Sequence, residues 1–178
     1  MSTRREENID LSSNLSCPTR DFLFSITFFF IILLARAISV PFYPVPFTLQ
    51  TFAIPLICLL SSSYKRVVYS LLIFGLYRAC LDSASCLMSG GYIIGFFVMA
   101  YILMKPSMKK NVYTVASSVL FCLVLELLIG TIWLMMFLKP VEAFRLGFLF
   151  FIPAEFVKWI AVVSVYSLVK KVSFKTER

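Results

Sequence analysis

A chain of 178 residues that is 60% hydrophobic, with nineteen phenylalanines and no histidine, is not a soluble domain, which averages about 45–50% apolar. Its mean hydropathy of +0.91 marks an integral membrane protein; at about 20 residues per span it allows roughly six transmembrane helices and no separate ATPase or soluble catalytic domain. The net charge of +8 is scattered over short segments, which fits membrane topology and argues against a nucleic-acid-binding module.

Residues 1–21 are polar and mixed in charge and read as a cytoplasmic tail. No A-x-A-like cleavage site follows the first apolar run, so a cleaved signal peptide is not expected. That run covers 22–40 and stops at Pro41; the second, 47–60, is short and interrupted by Pro55. Runs at 67–81, 91–104, 112–138 and 148–169 follow. The expected architecture is all-α and polytopic, a six-helix membrane domain over 22–170 with a cytoplasmic tail at 171–178. Twelve loop lysines and arginines lie on one side: Arg4, Arg5 and Arg20; Lys65 and Arg66; Lys105, Lys109 and Lys110; Lys170, Lys171, Lys175 and Arg178. Only Lys139 and Arg145 lie in the loops of the other side. The positive-inside rule therefore predicts both termini in the cytoplasm.

Between the first two runs the chain reads S-V-P-F-Y-P-V-P-F-T-L-Q-T-F over residues 39–52. A proline-stiffened loop thus enters a helix whose first turn carries Thr48, Gln50 and Thr51, polar groups that need partners in hydrocarbon. Charges within the runs carry the same implication, since each costs about 2.5–3.5 kcal/mol at the bilayer centre. With the amino terminus inside, Arg36 and Arg78 fall near the outer ends of their helices, and Glu155 and Lys158 fall one to three turns below the outer surface. Thr48 and Gln50 lie on that side too, which predicts an outward-facing polar pocket. Its cations outnumber Glu155, or Glu155 and Asp82, by one or two, so an anionic small molecule would complete it. The structural alternative is a Glu155–Lys158 salt bridge at i, i+3, with the arginines reaching headgroups. Glu126, near the middle of the fifth run, either pairs with one of these cations or stands as the neutral acid. Tyr43, Tyr92 and Trp159 are rings that can stack on a ligand or serve as lipid-facing bulk.

The five cysteines form no C-x-x-C pair; Cys80 and Cys86 are the two that can meet near the outer face, but the odd total and the lack of any other framework favour free thiols. No clustered ligand set predicts a metal site, and no phosphate loop, G-x-S-x-G or H-E-x-x-H is present. A small membrane enzyme acting on lipid through Glu155, Lys158 or Glu126 would need a nucleophile beside them. A membrane assembly factor is a further alternative.

P-F-Y-P-V-P-F-T-L-Q-T-F at 41–52 resembles the P-x-x-P-V-P-x-T-L-Q-T stretch of the BioY family, biotin-binding S components of energy-coupling-factor (ECF) vitamin transporters. G-G-Y-I-I-G-F at 90–96 and F-I-P-A-E-F-V-K at 151–158 are similar to that family's G-G-Y-x-x-G-F and F-x-P-G-D-x-x-K. The resemblance implies a biotin-uptake protein of the bacterial cytoplasmic membrane, with no cofactor and no catalytic site. Its substrate-binding residues would be Glu155, Lys158, Gln50, Thr48, Arg78, Arg36, Tyr43, Gly91 and Tyr92. Its implied partners are two ECF ATPases and a transmembrane coupling subunit, unless the chain works alone; docking would use small residues of the first helix, here Ala35, Ala37 and Ser39. Another small anionic vitamin is the alternative substrate. Two departures stand out: the connection over 81–89 is brief, and Ala154-Glu155 replaces the family's Gly-Asp.

Overall fold

The structure, a computed structural model, describes residues 17–43, 45–81, 83–109 and 111–176. The tail over 1–16, Pro44, Asp82, Lys110 and residues 177–178 lie outside the described residues. Six helices of 11 to 25 residues form the bundle: α1 (Cys17–Ala37), α2 (Gln50–Leu60), α3 (Tyr64–Leu81), α4 (Ser83–Leu103), α5 (Val112–Leu134) and α7 (Ile152–Thr176), with a five-residue helix α6 (Pro140–Phe144) before α7. A π-helical turn, Arg145–Leu149, joins α6 to α7.

Six helices fit the expected all-α class, and two features refine it. The chain is not purely helical: β1 (Ser39–Val40) pairs antiparallel with β2 (Phe47–Thr48), in the register Ser39 to Thr48 and Val40 to Phe47. The prolines after β1 end helical hydrogen bonding, and the Leu49 N–H then ties the hairpin back to the Ala35 and Ile38 carbonyls at 3.1 and 3.2 Å. Nor is 81–89 a loop, because α4 begins at Ser83. Its first turns are made of small and polar residues, which helices accept at little cost and which hydropathy counting leaves out.

Apolar side chains cover the outside, with Phe22, Phe30, Leu34, Leu76, Ile132 and Val157 exposed, whereas Gln50, Arg78, Glu126 and Glu155 are buried. That inversion of the soluble pattern fits a bilayer solvent. Among the described residues, Val112–Leu134 and the segment Pro140–Val172 are long and apolar enough to span one. At the amino-terminal end of α1, Arg66 of α3 donates to Asp21 at 2.6 Å and lies over the Phe24 ring.

The interior divides into two apolar clusters. One centres on Ile54, Leu71, Phe74, Met99 and Leu123; the other joins Val45, Tyr92, Leu127, Leu134 and Phe151. The buried polar groups collect where they meet.

Candidate functional site

A cavity of about 50 Å³ lies at that junction, lined by Phe74 and Phe96 from the first cluster and by Val45, Tyr92, Leu127 and Phe151 from the second. Its polar wall is built by Arg36, Thr48, Gln50, Thr51, Arg78, Ser89, Glu126, Glu155 and Lys158. With Arg36, Arg78 and Lys158 against Glu126 and Glu155, the lining carries one excess positive charge when both carboxyls are ionised. An open groove of about 480 Å³ between the hairpin and α7 shares Thr48 and Lys158 with it.

The centre of the polar wall is a three-membered ring of hydrogen bonds. The Thr51 hydroxyl donates to Glu155 Oε1 at 2.8 Å, and Lys158 Nζ donates to the same oxygen at 2.7 Å and to Thr51 Oγ1 at 2.8 Å. Glu155 and Lys158 share a face of α7 because they are three residues apart. Thr51 reaches them because α2 packs across α7. Pro55 lacks the N–H that would bond the Thr51 carbonyl, so the first turn of α2 is held less by its own backbone. Beside the ring, the Thr48 hydroxyl donates to Gln50 Oε1 at 2.9 Å. Gln50 Nε2 and Glu155 Oε2 are buried without a hydrogen-bond partner. Such atoms are costly unless something else satisfies them.

Tyr92 is fixed from several directions. Its hydroxyl donates to the Gly147 carbonyl at 2.9 Å, a carbonyl of the π-helical turn. Its ring lies 6.0 Å from that of Phe151, which stacks on Phe47 of β2 at 4.4 Å. Phe42 continues the ladder, 5.0 Å from Phe47, so aromatic packing clamps the proline-rich loop over the cavity. Val45 and Pro46 of that loop form part of the lining. Arg78 Nη2 donates to Ser89 Oγ at 2.8 Å, which joins α3 to α4.

Of the residues expected from sequence, Glu155, Lys158, Gln50, Thr48, Arg78, Arg36 and Tyr92 all line this cavity. Tyr43 does not: it is 70% exposed, because the loop turns its Val45 side inward. Gly91 does not either. It is a packing position, where a Cβ would lie 2.3 Å from Trp133 Cβ. Trp159 is spent on a hydrogen bond to the Ala116 carbonyl. The docking expectation also changes. Ala35 is buried inside the bundle under the Leu49 tie, and Ser39 lies in β1, so no helical small-xxx-small pair exists there; Ala37 and Ser39 remain exposed. Thr51 and Glu126 also line the site, beyond the residues that the family resemblance implies. Thr51 had a signal, its place in the T-L-Q-T stretch, whereas Glu126 belongs to no motif.

Chemically the arrangement suits recognition of a polar, anionic molecule. Among the described residues no three metal-ligating side chains come together. No curated protein and no solved structure gives a significant match to the chain. The model of the BioY family matches residues 5–175, nearly the whole length; the chain therefore belongs to the BioY family, membrane S components of vitamin uptake.

Proposed function

We propose that this chain binds biotin in the cavity at the cluster junction and carries it across the bacterial cytoplasmic membrane as the S component of an ECF transporter. The observation that carries this reading is the polar wall, where unpartnered hydrogen-bonding atoms and an excess positive charge face the same space. Biotin supplies a ureido ring with two N–H donors and a carbonyl, an apolar thioether ring and a carboxylate tail. At about 50 Å³ the cavity is smaller than the roughly 300–1,000 Å³ of ordinary ligand sites. Admission therefore requires the 41–46 loop to move outward, and its prolines limit the entropy lost when it closes again. The ECF ATPases and the coupling subunit provide the energy, since the sequence carries no phosphate-loop motif, and docking is assigned to the exposed Ala37 and Ser39.

Equilibrium binding of labelled biotin to the purified protein tests the reading. Biotin should displace the label about tenfold to a hundredfold better than its neutral amide, the worth of one charge-assisted hydrogen bond to the tail. Displacement by a different anionic vitamin and not by biotin would change the substrate. No binding of any of them would end the transport reading.

Six crossings with both termini in the cytoplasm complete the proposal, with residues 22–170 as the membrane domain and short tails on either side. Single cysteines at Ser62 and Ser107, in a background without Cys17, Cys58, Cys80, Cys86 and Cys122, should resist an impermeant thiol reagent in intact cells. One at Glu142 should react. Labelling at Ser62 would reverse the orientation and turn the cavity toward the cytoplasm.

A further inference from the structure

The cavity holds a second buried carboxyl group that lies outside the family's motifs. Glu126 sits in the middle of α5, is 2% exposed, and lines the cavity. Its Oε2 makes no hydrogen bond, a costly condition for an acceptor in apolar surroundings. The backbone of α4 presses on it from behind: a Cβ on Gly95 would lie 2.7 Å from Glu126 Cγ and 3.0 Å from its Cα. A side chain at residue 95 would push Glu126 out of this position.

Two other orphaned atoms share the cavity, Gln50 Nε2 and Glu155 Oε2. The remaining atoms of those groups are already used, Gln50 Oε1 by Thr48 and Glu155 Oε1 by Thr51 and Lys158. The unfilled set is thus two carboxyl oxygens, either of which can accept, and one amide donor. A planar cyclic urea presents the complement, two N–H donors and one carbonyl acceptor. We propose that Glu126 and Glu155 accept the two ureido N–H groups while Gln50 Nε2 donates to the carbonyl, which makes Glu126 a specificity-determining residue for the urea. The inference rests on the biotin reading. It extends it to a residue that no motif marks.

Biotin and its two mono-N-methyl ureido analogues, measured on the purified wild type and on Glu126→Ala, test it. Each methyl group removes one donor and sets a methyl against an acceptor, so on the wild type both analogues should bind at least about tenfold more weakly than biotin. On Glu126→Ala biotin itself should weaken about tenfold. One methyl analogue should then bind within about threefold of biotin, because its missing donor and added methyl fall where the Glu126 side chain was, while the other keeps its full penalty. Methyl penalties that are the same on wild type and variant would overturn the inference, as would a wild type that tolerates both methyl groups. If Glu126→Ala does not fold, Glu126→Leu fills much of the space without any acceptor and should still shrink one penalty selectively; equal penalties there overturn the inference as well. Failure of the wild type to bind biotin would instead remove the underlying reading, an outcome distinct from biotin binding that ignores residue 126.

Discussion

Glu155→Gln is expected to weaken biotin binding by about 1.5–3 kcal/mol, roughly tenfold to a hundredfold, because it removes a charged acceptor from both the ligand and the polar ring. The amide keeps the shape of the side chain but replaces one acceptor by a donor, among the donors Lys158 and Thr51 that now converge on Oε1. It also leaves the Lys158 ammonium with its pairing carboxylate gone, and breaking a buried pair from one side costs about 3–5 kcal/mol. Glu155→Asp should do far less harm, since it keeps the charge and shortens the stem by about 1.5 Å. Lys158→Met should cost about as much as Glu155→Gln, and the double variant less than the sum, because each single change already breaks the same unit. Thr51→Val should behave as a third member of that unit, as its hydroxyl both donates to Glu155 and accepts from Lys158. Biotin affinity across the set, with folding followed by size exclusion in detergent, decides it. Additive losses, or near-normal binding by Glu155→Gln, would leave the pair a purely structural salt bridge and move recognition to Gln50, Arg78 and Arg36.

The helices were legible because hydropathy is a property of the segment alone. Their ends were less so. Hydropathy carries the first run to Val40, but α1 stops at Ala37, since pairing with Phe47 and Thr48 competes for residues 39 and 40 and two-residue strands have no alternation to detect. The apolar run begins at Gly91, eight residues after α4 starts at Ser83, because S-A-S-C-L-M-S-G-G has little hydropathy although nothing in it forbids a helix.

The site was legible where charge and motif coincided. Arg36, Arg78, Glu155 and Lys158 stand out because a charge inside an apolar run demands a partner, and alternating helix directions bring all four to one level of the bundle. Thr51 was visible as a polar residue, yet its bond to Glu155 depends on the rotational phase of α2 against α7, which no local pattern fixes. The orientation of Tyr43 depends on a proline-rich loop with no periodicity. Glu126 was noticed as a lone charge, but its position on the cavity wall depends on how closely α4 approaches α5, and glycines on both helices set that distance.

The last of these contacts gives the sharpest structural expectation. A Cβ on Gly130 of α5 would lie 2.3 Å from Tyr92 Cδ1 and Cε1 and 2.5 Å from Cζ, well inside contact distance. The ring is not free to retreat: its hydroxyl is bonded to the Gly147 carbonyl at 2.9 Å and its face lies against Phe151. Gly130→Ala should therefore destabilise the protein by about 1–3 kcal/mol through overpacking, with about 0.5–1.5 kcal/mol more if the hydroxyl bond breaks, and it should weaken biotin binding by displacing a cavity wall. Gly75→Ala is the control, since its Cβ would meet nothing nearer than Ile93 Cγ2 at 3.9 Å. There the ordinary helical preference for alanine should apply, a gain of up to about 1 kcal/mol. Combining Gly130→Ala with Tyr92→Leu should recover much of the stability lost to the alanine, because the obstructing ring is then absent, while biotin binding stays impaired without the tyrosine. Thermal midpoints in detergent and biotin affinities for these variants provide the check. A Gly130→Ala protein as stable as Gly75→Ala would mean that α4 and α5 stand further apart than this, and that Tyr92 and Glu126 are not pressed into the cavity wall by the helix behind them.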